Sequence, residues 1–383
     1  MNRQVVGNHE IAAVVGDGSR ATLASIARLS PTLADALSGY AFGDVFSRAV
    51  LGRRERELAT VAVLGAIGGA EPQLAVHVAA ALRCGVDREE LVALAEHLTV
   101  YAGFPRGLNL LSVIDRTLGQ AGIEPPRPSR IVDLGDHETE ATDTGGDGTP
   151  IVLVHALGLD RRMWHGVVGP LAARHRVIAY DLRSHGRAAA VPATTGLGHF
   201  ANDLRLLLDR LGMTKVHLVG LSLGGSIATR FAAEWPVRLR SLTIVAATAW
   251  GNPAFEARAI AAETDGMAAQ IVPTLTRWFT PAALAEDGPA VRWAREKVRR
   301  AIVADWVASW RSLASISIDT LLPSISVPTH IIAGEKDAST PPSLMQGFAA
   351  IPGATFDVIE GAPHMIALEK PSELAAAILA GLV

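Results

Sequence analysis

From Ile151 to Gly361 short, almost wholly apolar runs alternate with longer stretches that are apolar only at helical spacing. The runs are IVLVH from Ile151, RVIAYD from Arg176, VHLVG from Val216, LTIVAA from Leu242, THIIAG from Thr329 and FDVIEG from Phe356. A strand that is apolar on both sides must be covered on both sides, and strands that alternate with helices run parallel. The pattern predicts a parallel sheet between two layers of helices. It breaks between about Phe255 and Ser317. That stretch is helical, rich in Trp and Arg (Trp278, Trp293, Trp306, Trp310), and reads as an insertion.

The chain ahead of this region has a different grammar. Residues from about 20 to 120 carry helical patterns only: Arg54 to Gly69, Gln73 to Arg83, and a third helix that Asp87-Arg88-Glu89-Glu90 opens with the form of a capping box. Ile123 to Arg130 (IEPPRPSR) then places three prolines in eight residues, which cannot continue a helix and favour an extended spacer. The length of 383 residues is comfortable for two domains. We expect an all-helical domain over 1–122, a linker over 123–130, and an α/β domain over 131–383 with a helical cap at about 252–318.

Composition removes several classes of function. The net charge is -3 with no basic run, so neither nucleic acid nor anionic lipid is an expected partner. A single cysteine, Cys84, excludes a disulfide framework and a multi-Cys zinc site and fits a reducing compartment. No run of about 18 uncharged apolar residues occurs, and the N-terminus lacks a signal-peptide pattern, so a cytoplasmic protein is expected. No His/Cys/Asp/Glu cluster has metal-ligand spacing. Gly145-Gly146-Asp147-Gly148 precedes a strand instead of following one, so no dinucleotide fingerprint is present and no cofactor is expected.

The chemistry concentrates where VHLVG meets the next helix. Gly220-Leu221-Ser222-Leu223-Gly224 has the Gly-x-Ser-x-Gly form of a nucleophile elbow, in which glycines flank a turn too sharp for side chains. The Leu223 amide then points at a developing oxyanion. A serine nucleophile needs a base, and the base needs an orienting carboxylate. In this architecture both follow the serine at strand ends, acid first. THIIAG is followed by Glu335-Lys336-Asp337, and FDVIEG by Ala362-Pro363-His364. Asp337 and His364 are the expected partners of Ser222. Glu335 is a rival acid, placed closer to its strand end. The loop after Ile151–Val154 should supply a second oxyanion donor, the amide of Leu157, with Gly158 allowing close backbone approach. His155 is expected to be structural.

On these motifs, residues from about 145 to 383 resemble α/β-hydrolases of the 3-oxoadipate enol-lactonase type. Further matches are Leu157 to Trp164, Tyr180 to Gly186, and Arg277-Trp278-Phe279. The resemblance implies a Ser-His-Asp hydrolase acting on a small lactone or ester, with Trp164 and Trp278 as candidate pocket residues. The chain departs from the family pattern at Ser184, at Arg187-Ala188, and at Asp305-Trp306-Val307-Ala308-Ser309-Trp310, where small residues are usual.

Residues from about 40 to 110 resemble the carboxymuconolactone decarboxylase family, on Ala41 to Val45, Arg54 to Leu58, His77 with Ala79 to Leu82, Gly85-Val86-Asp87 and Tyr101 to Pro105. Relatives that act as peroxidases use Cys-x-x-Cys ahead of the matching histidine. Ala70 and Gln73 stand there, and two thiols are indispensable to that chemistry, so it is excluded. The candidates are His77 for proton transfer, with Glu57 and Arg54 to position it and His97 as a further possibility. Together the two resemblances imply a bifunctional enzyme that decarboxylates 4-carboxymuconolactone and opens the resulting enol-lactone, with a homo-oligomer formed through the helical domain. The alternative is a serine hydrolase of another ester, lactone or thioester, its helical domain a silent oligomerisation module.

Overall fold

The computed structural model describes residues 2–16, 18–120, 129–191 and 196–382. The chain forms two compact units, Met1–Pro126 and Arg127–Val383. Most of the proline-rich spacer lies outside the described residues. Its last two residues, Ser129 and Arg130, do not belong to a spacer: they open the first strand.

The first unit is all helix. Helices α1 (Arg3–Val15), α2 (Ser19–Leu29) and α3 (Pro31–Asp35) lead into a wider, π-type helical stretch over Ala36–Phe46. Then come α4 (Arg53–Ile67), α5 (Glu71–Arg83), α6 (Arg88–Ala102) and α7 (Phe104–Gln120). The capping box at the start of α6 is formed: the Asp87 side chain accepts from the Glu90 amide, and the Glu90 side chain accepts from the Asp87 amide. Val61, Leu74, Val78, Leu91, Leu110 and Ile114 close a core among α4 to α7. Neither α1 nor α7 was read from the sequence.

The second unit is an eight-stranded sheet among the described residues, in the order β1-β2-β4-β3-β5-β6-β7-β8. The strands are β1 (Ser129–Asp133), β2 (Glu138–Asp143), β3 (Ile151–Val154), β4 (Val177–Tyr180), β5 (Val216–Leu221), β6 (Leu239–Val245), β7 (Thr329–Gly334) and β8 (Thr355–Ile359). From β3 to β8 every pairing is parallel, while β1 and β2 form an antiparallel hairpin and β2 runs antiparallel to β4. Strands β3, β4, β5 and β7 are buried at every residue, as their largely apolar runs require. Helices α8 (His165–Ala172), α9 (Leu197–Arg210) and α10 (Leu223–Glu234) connect the central strands. Between β6 and β7 the insertion forms a four-helix cap: α11 (Pro253–Trp278), broken at Gly266, α12 (Pro281–Glu286), α13 (Pro289–Arg300) and α14 (Val303–Ala314).

The turn from β5 into α10 is the tightest place in this sheet. Ser222 has φ +58° and ψ -118°, a backbone state that side chains rarely adopt. The strand and helix close on each other around it. A Cβ on Gly220 would stand 2.1 Å from the carbonyl oxygen of Gly224, and a Cβ on Gly224 would stand 2.1 Å from that of Val154 in β3. Both obstacles are backbone and cannot swing aside. Gly224→Ala should therefore cost the hydrolase unit about 3 kcal/mol or more. Denaturant titration of the two proteins checks this, and equal stability would contradict it.

Candidate active site

Ser222 stands at the C-terminal end of β5, with the first turn of α10 beginning at Leu223. Its amide donates to the Val245 carbonyl at 2.9 Å, which pins the turn to β6. The loops after β7 and β8 bring two further residues to the same end of the sheet. Ser222 Oγ lies 3.0 Å from His364 Nε2, and His364 Nδ1 lies 2.8 Å from Asp337 Oδ2. With the ring proton on Nδ1, the imidazole donates to the carboxylate and accepts from the serine hydroxyl.

Asp337 is buried and held from several directions. The Ser339 and Thr340 amides donate to Oδ1 at 2.7 and 2.9 Å, and the Thr340 hydroxyl donates to Oδ2 at 2.7 Å. Burial alone would raise its pKa, but His364 and the Thr340 hydrogen bonds outweigh that and hold the carboxyl below its ordinary value. Glu335, the rival acid, is exposed and accepts from the Gly361 amide instead.

Leu157 lines the cavity beside Ser222, in the loop after β3. The Leu223 amide is at the first position of α10, where no carbonyl of the same helix can receive it. Gly158, at φ +75°, does permit a close approach, and the approaching group is the indole of Trp306: a Cβ on Gly158 would lie 2.4 Å from its ring. His155 donates through Nδ1 to the Ala156 carbonyl and accepts through Nε2 from the Leu182 amide, both at 2.8 Å. Burial pushes its pKa down to about 4, so it stays neutral and braces the loop.

The cap covers Ser222 from above. Trp278 lines the cavity, and its carbonyl accepts from the Met365 amide at 3.0 Å, tying the cap to the residue after His364. Trp164, expected in the pocket, is instead fully buried in the hydrolase core, because the short helix that carries it (Arg161–Trp164) turns its side chain inward. Cap residues not singled out for the pocket in the sequence also line it: Arg258, Arg277 and Trp310, with the apolar Phe255 and Leu313. Among the described residues neither arginine has a carboxylate partner. Arg277 donates to the Thr274 hydroxyl at 3.1 Å, and Arg258 lies over the Phe255 and Trp310 rings at 5.3 and 4.7 Å. Burial, then the charge of Arg258, pushes the Arg277 guanidinium down to about 10, which leaves it protonated at neutral pH. This wall presents positive charge a short distance from the serine.

One group of potential metal-binding atoms exists among the described residues, on Asp136, His137 and Asp203, within 4.8 Å of one another. The Arg183 guanidinium bonds both carboxylates at 2.8 to 3.1 Å and already supplies the positive charge a metal would bring.

In the helical unit, Glu57 on α4 and His77 on α5 meet: His77 Nδ1 lies 2.8 Å from Glu57 Oε2. Glu57 is fully buried, and its Oε1 has no partner among the described residues. Arg54 is not part of this pair. One turn before Glu57 on α4, it turns to the Glu90 carboxylate and to the Gly85 carbonyl instead. His97 is exposed, its ring packed on Tyr101.

Residues 151–377 match the Alpha/beta hydrolase family, and residues 31–116 match the Carboxymuconolactone decarboxylase family. The second region is similar to 3-oxoadipate enol-lactonase 1 of Acinetobacter baylyi, 32% identical over 235 residues, which cover 60% of this chain and 87% of that protein. It is also similar to a putative carbamate hydrolase of Variovorax paradoxus, 32% identical over 216 residues, covering 53% of this chain and 79% of that one. Among solved structures, the enol-lactonase from Burkholderia xenovorans LB400 superimposes with a TM-score of 0.64 at 25% identity, over 66% of this chain and 99% of that chain. No described helix is long and apolar enough to cross a membrane. With a sheet of this order, a serine at the strand-to-helix turn and a family match over more than half its length, the chain belongs to the alpha/beta hydrolase family.

Proposed function

We propose that this chain hydrolyses 3-oxoadipate enol-lactone through Ser222, and that its helical unit forms that lactone by decarboxylating 4-carboxymuconolactone. The observation that carries the hydrolase half is the hydrogen-bonded series Asp337–His364–Ser222 in a cavity overhung by two arginines without carboxylate partners.

Ser222 Oγ attacks the lactone carbonyl carbon while its proton passes to His364 Nε2. Asp337 holds the imidazole in the productive tautomer and stabilises the cation that forms. The amides of Leu157 and Leu223 receive the oxyanion. Collapse of the tetrahedral adduct breaks the bond from the carbonyl carbon to the ring oxygen, which takes the proton from His364. The enol so released tautomerises to a ketone, still joined to the acyl-enzyme. Water, giving a proton to His364, then attacks the acyl carbon. The second collapse returns that proton to Ser222 and frees the new carboxylate. The carboxylate already on the substrate meets Arg258 and Arg277, which favours an anionic lactone over a neutral ester. The similarity to a protein named 3-oxoadipate enol-lactonase points the same way.

In the helical unit, loss of CO2 from the ring carbon sends an electron pair through the ring alkene to the lactone carbonyl. A proton must then reach the carbon beside that carbonyl. His77, backed by buried Glu57, is the residue for this transfer. One observation favours a second reading of this unit, as a self-association module. Val100, Tyr101 and Phe104 at the α6–α7 turn are 74, 79 and 69% exposed, an apolar patch that a second copy of the chain would cover.

Ser222→Ala should lower kcat for lactone opening by about 10^4- to 10^6-fold without altering CO2 release. His77→Ala should do the reverse, slowing CO2 release by roughly 10^2-fold or more. Parallel assays on the intact chain check both; wild-type hydrolysis by Ser222→Ala would refute the nucleophile. Self-association is read by light scattering, and a mass equal to the 40.2 kDa monomer would contradict it.

A further inference from the structure

The wall of the Ser222 cavity includes a buried N–H donor that the mechanism leaves unused. Trp310, on α14 of the cap, lines the cavity and is only 6% exposed, yet its Nε1–H has no hydrogen-bond partner among the described residues. Buried N–H groups are nearly always paired in folded proteins, so an unpaired one on a cavity wall is a donor available to what binds there. The ring is held firmly. It stacks on Phe255 with centroids 5.6 Å apart and packs edge-on to Trp306 at 6.1 Å. The Arg258 guanidinium lies over the same ring at 4.7 Å. A guanidinium stacked on an indole keeps its N–H edges free for a carboxylate. Trp306, the other indole of α14 with an unpaired Nε1, is seated against Gly158 and does not line this cavity.

We infer that Trp310 is a specificity-determining residue: its Nε1–H donates to the carboxylate carried by the substrate, the same group that Arg258 meets. The inference rests on the reading of Ser222 as the nucleophile. A carboxylate has two oxygens, and the indole N–H and the guanidinium can satisfy them together. A neutral ester of the same length leaves both donors buried and unpaired, so the pair discriminates against it. Trp310 thus takes no part in bond making; it selects anionic acyl groups.

The test uses the intact chain and two esters that differ only in the distal carboxylate, mono-para-nitrophenyl adipate and para-nitrophenyl hexanoate. Trp310→Phe keeps the ring and removes the donor. It should raise KM for the adipate ester about tenfold or more, the effect of losing a hydrogen bond to a charged group, and leave hexanoate hydrolysis within about twofold. Trp310→Tyr, which restores a donor at the ring edge, should recover part of the lost selectivity. Combined with Arg258→Met, the loss on adipate should be smaller than the product of the two single losses, since both groups serve one carboxylate. Equal losses on both esters, or losses that simply multiply, would overturn the inference. Wild-type hydrolysis of both esters that survives Ser222→Ala would instead overturn the reading on which it rests.

Discussion

At Ser222 the chain passes from strand to helix within one residue, and the site is organised around the closeness that this demands. The positive φ is held because Gly220 and Gly224 let β5, α10 and the end of β3 touch backbone to backbone. The strain has a consequence for chemistry. A serine on a gentler turn would lie along the sheet; here its hydroxyl stands at the strand ends, where the loops after β7 and β8 deliver Asp337 and His364. Leu223 opens α10 directly after the serine, and Leu157 lines the same cavity. Ser222 and its hydrogen-bond partners thus meet at one end of the sheet because of this packing constraint.

The cap adds charge to that geometry. Two arginines line the wall over Ser222 without carboxylate partners, and desolvation makes such an arrangement costly unless an anion completes it. The cost is moderated by the rings of Phe255 and Trp310 under Arg258 and by the Thr274 hydroxyl at Arg277. The Trp278 carbonyl ties the cap to the loop that carries His364 through Met365. Elsewhere the excess positive charge of an arginine is neutralised directly, as at Arg183 between Asp136 and Asp203. The contrast supports the proposal that the Ser222 cavity takes an anionic substrate.

How much of this was legible follows from what each element buries. Strands β3 to β7 were readable because both faces are covered, so their sequence is largely apolar, with few polar residues. The β1–β2 hairpin was not: SRIVD and ETEATD are half exposed and polar, and nothing in their composition separates them from loop. Helix α7 was hidden by Phe104-Pro105 and Gly107 at its start, although Pro is well tolerated in a first turn. The Ser222, Asp337 and His364 positions could be read because each follows a recognisable strand. Arg258 and Trp310 could not be placed in the pocket, because their location depends on how α11 breaks at Gly266 and how α14 crosses it. Trp164 misled for the same reason in reverse: an aromatic next to a site motif was assigned to the pocket, while the turn at Arg161–Trp164 sends it into the core. In the helical unit Glu57 and His77 could be paired by residue type, but Arg54 could not be separated from them without knowing which face of α4 meets α5.

The central claim is that His364 activates Ser222 as a nucleophile. Treating the intact chain with a fluorophosphonate, which reacts with activated serine hydroxyls, and mapping the adduct by peptide mass spectrometry tests it most directly. The account predicts one adduct per chain, on Ser222, and its disappearance in His364→Ala. An unlabelled Ser222, a different labelled residue, or labelling of Ser222 undiminished without His364 would contradict it.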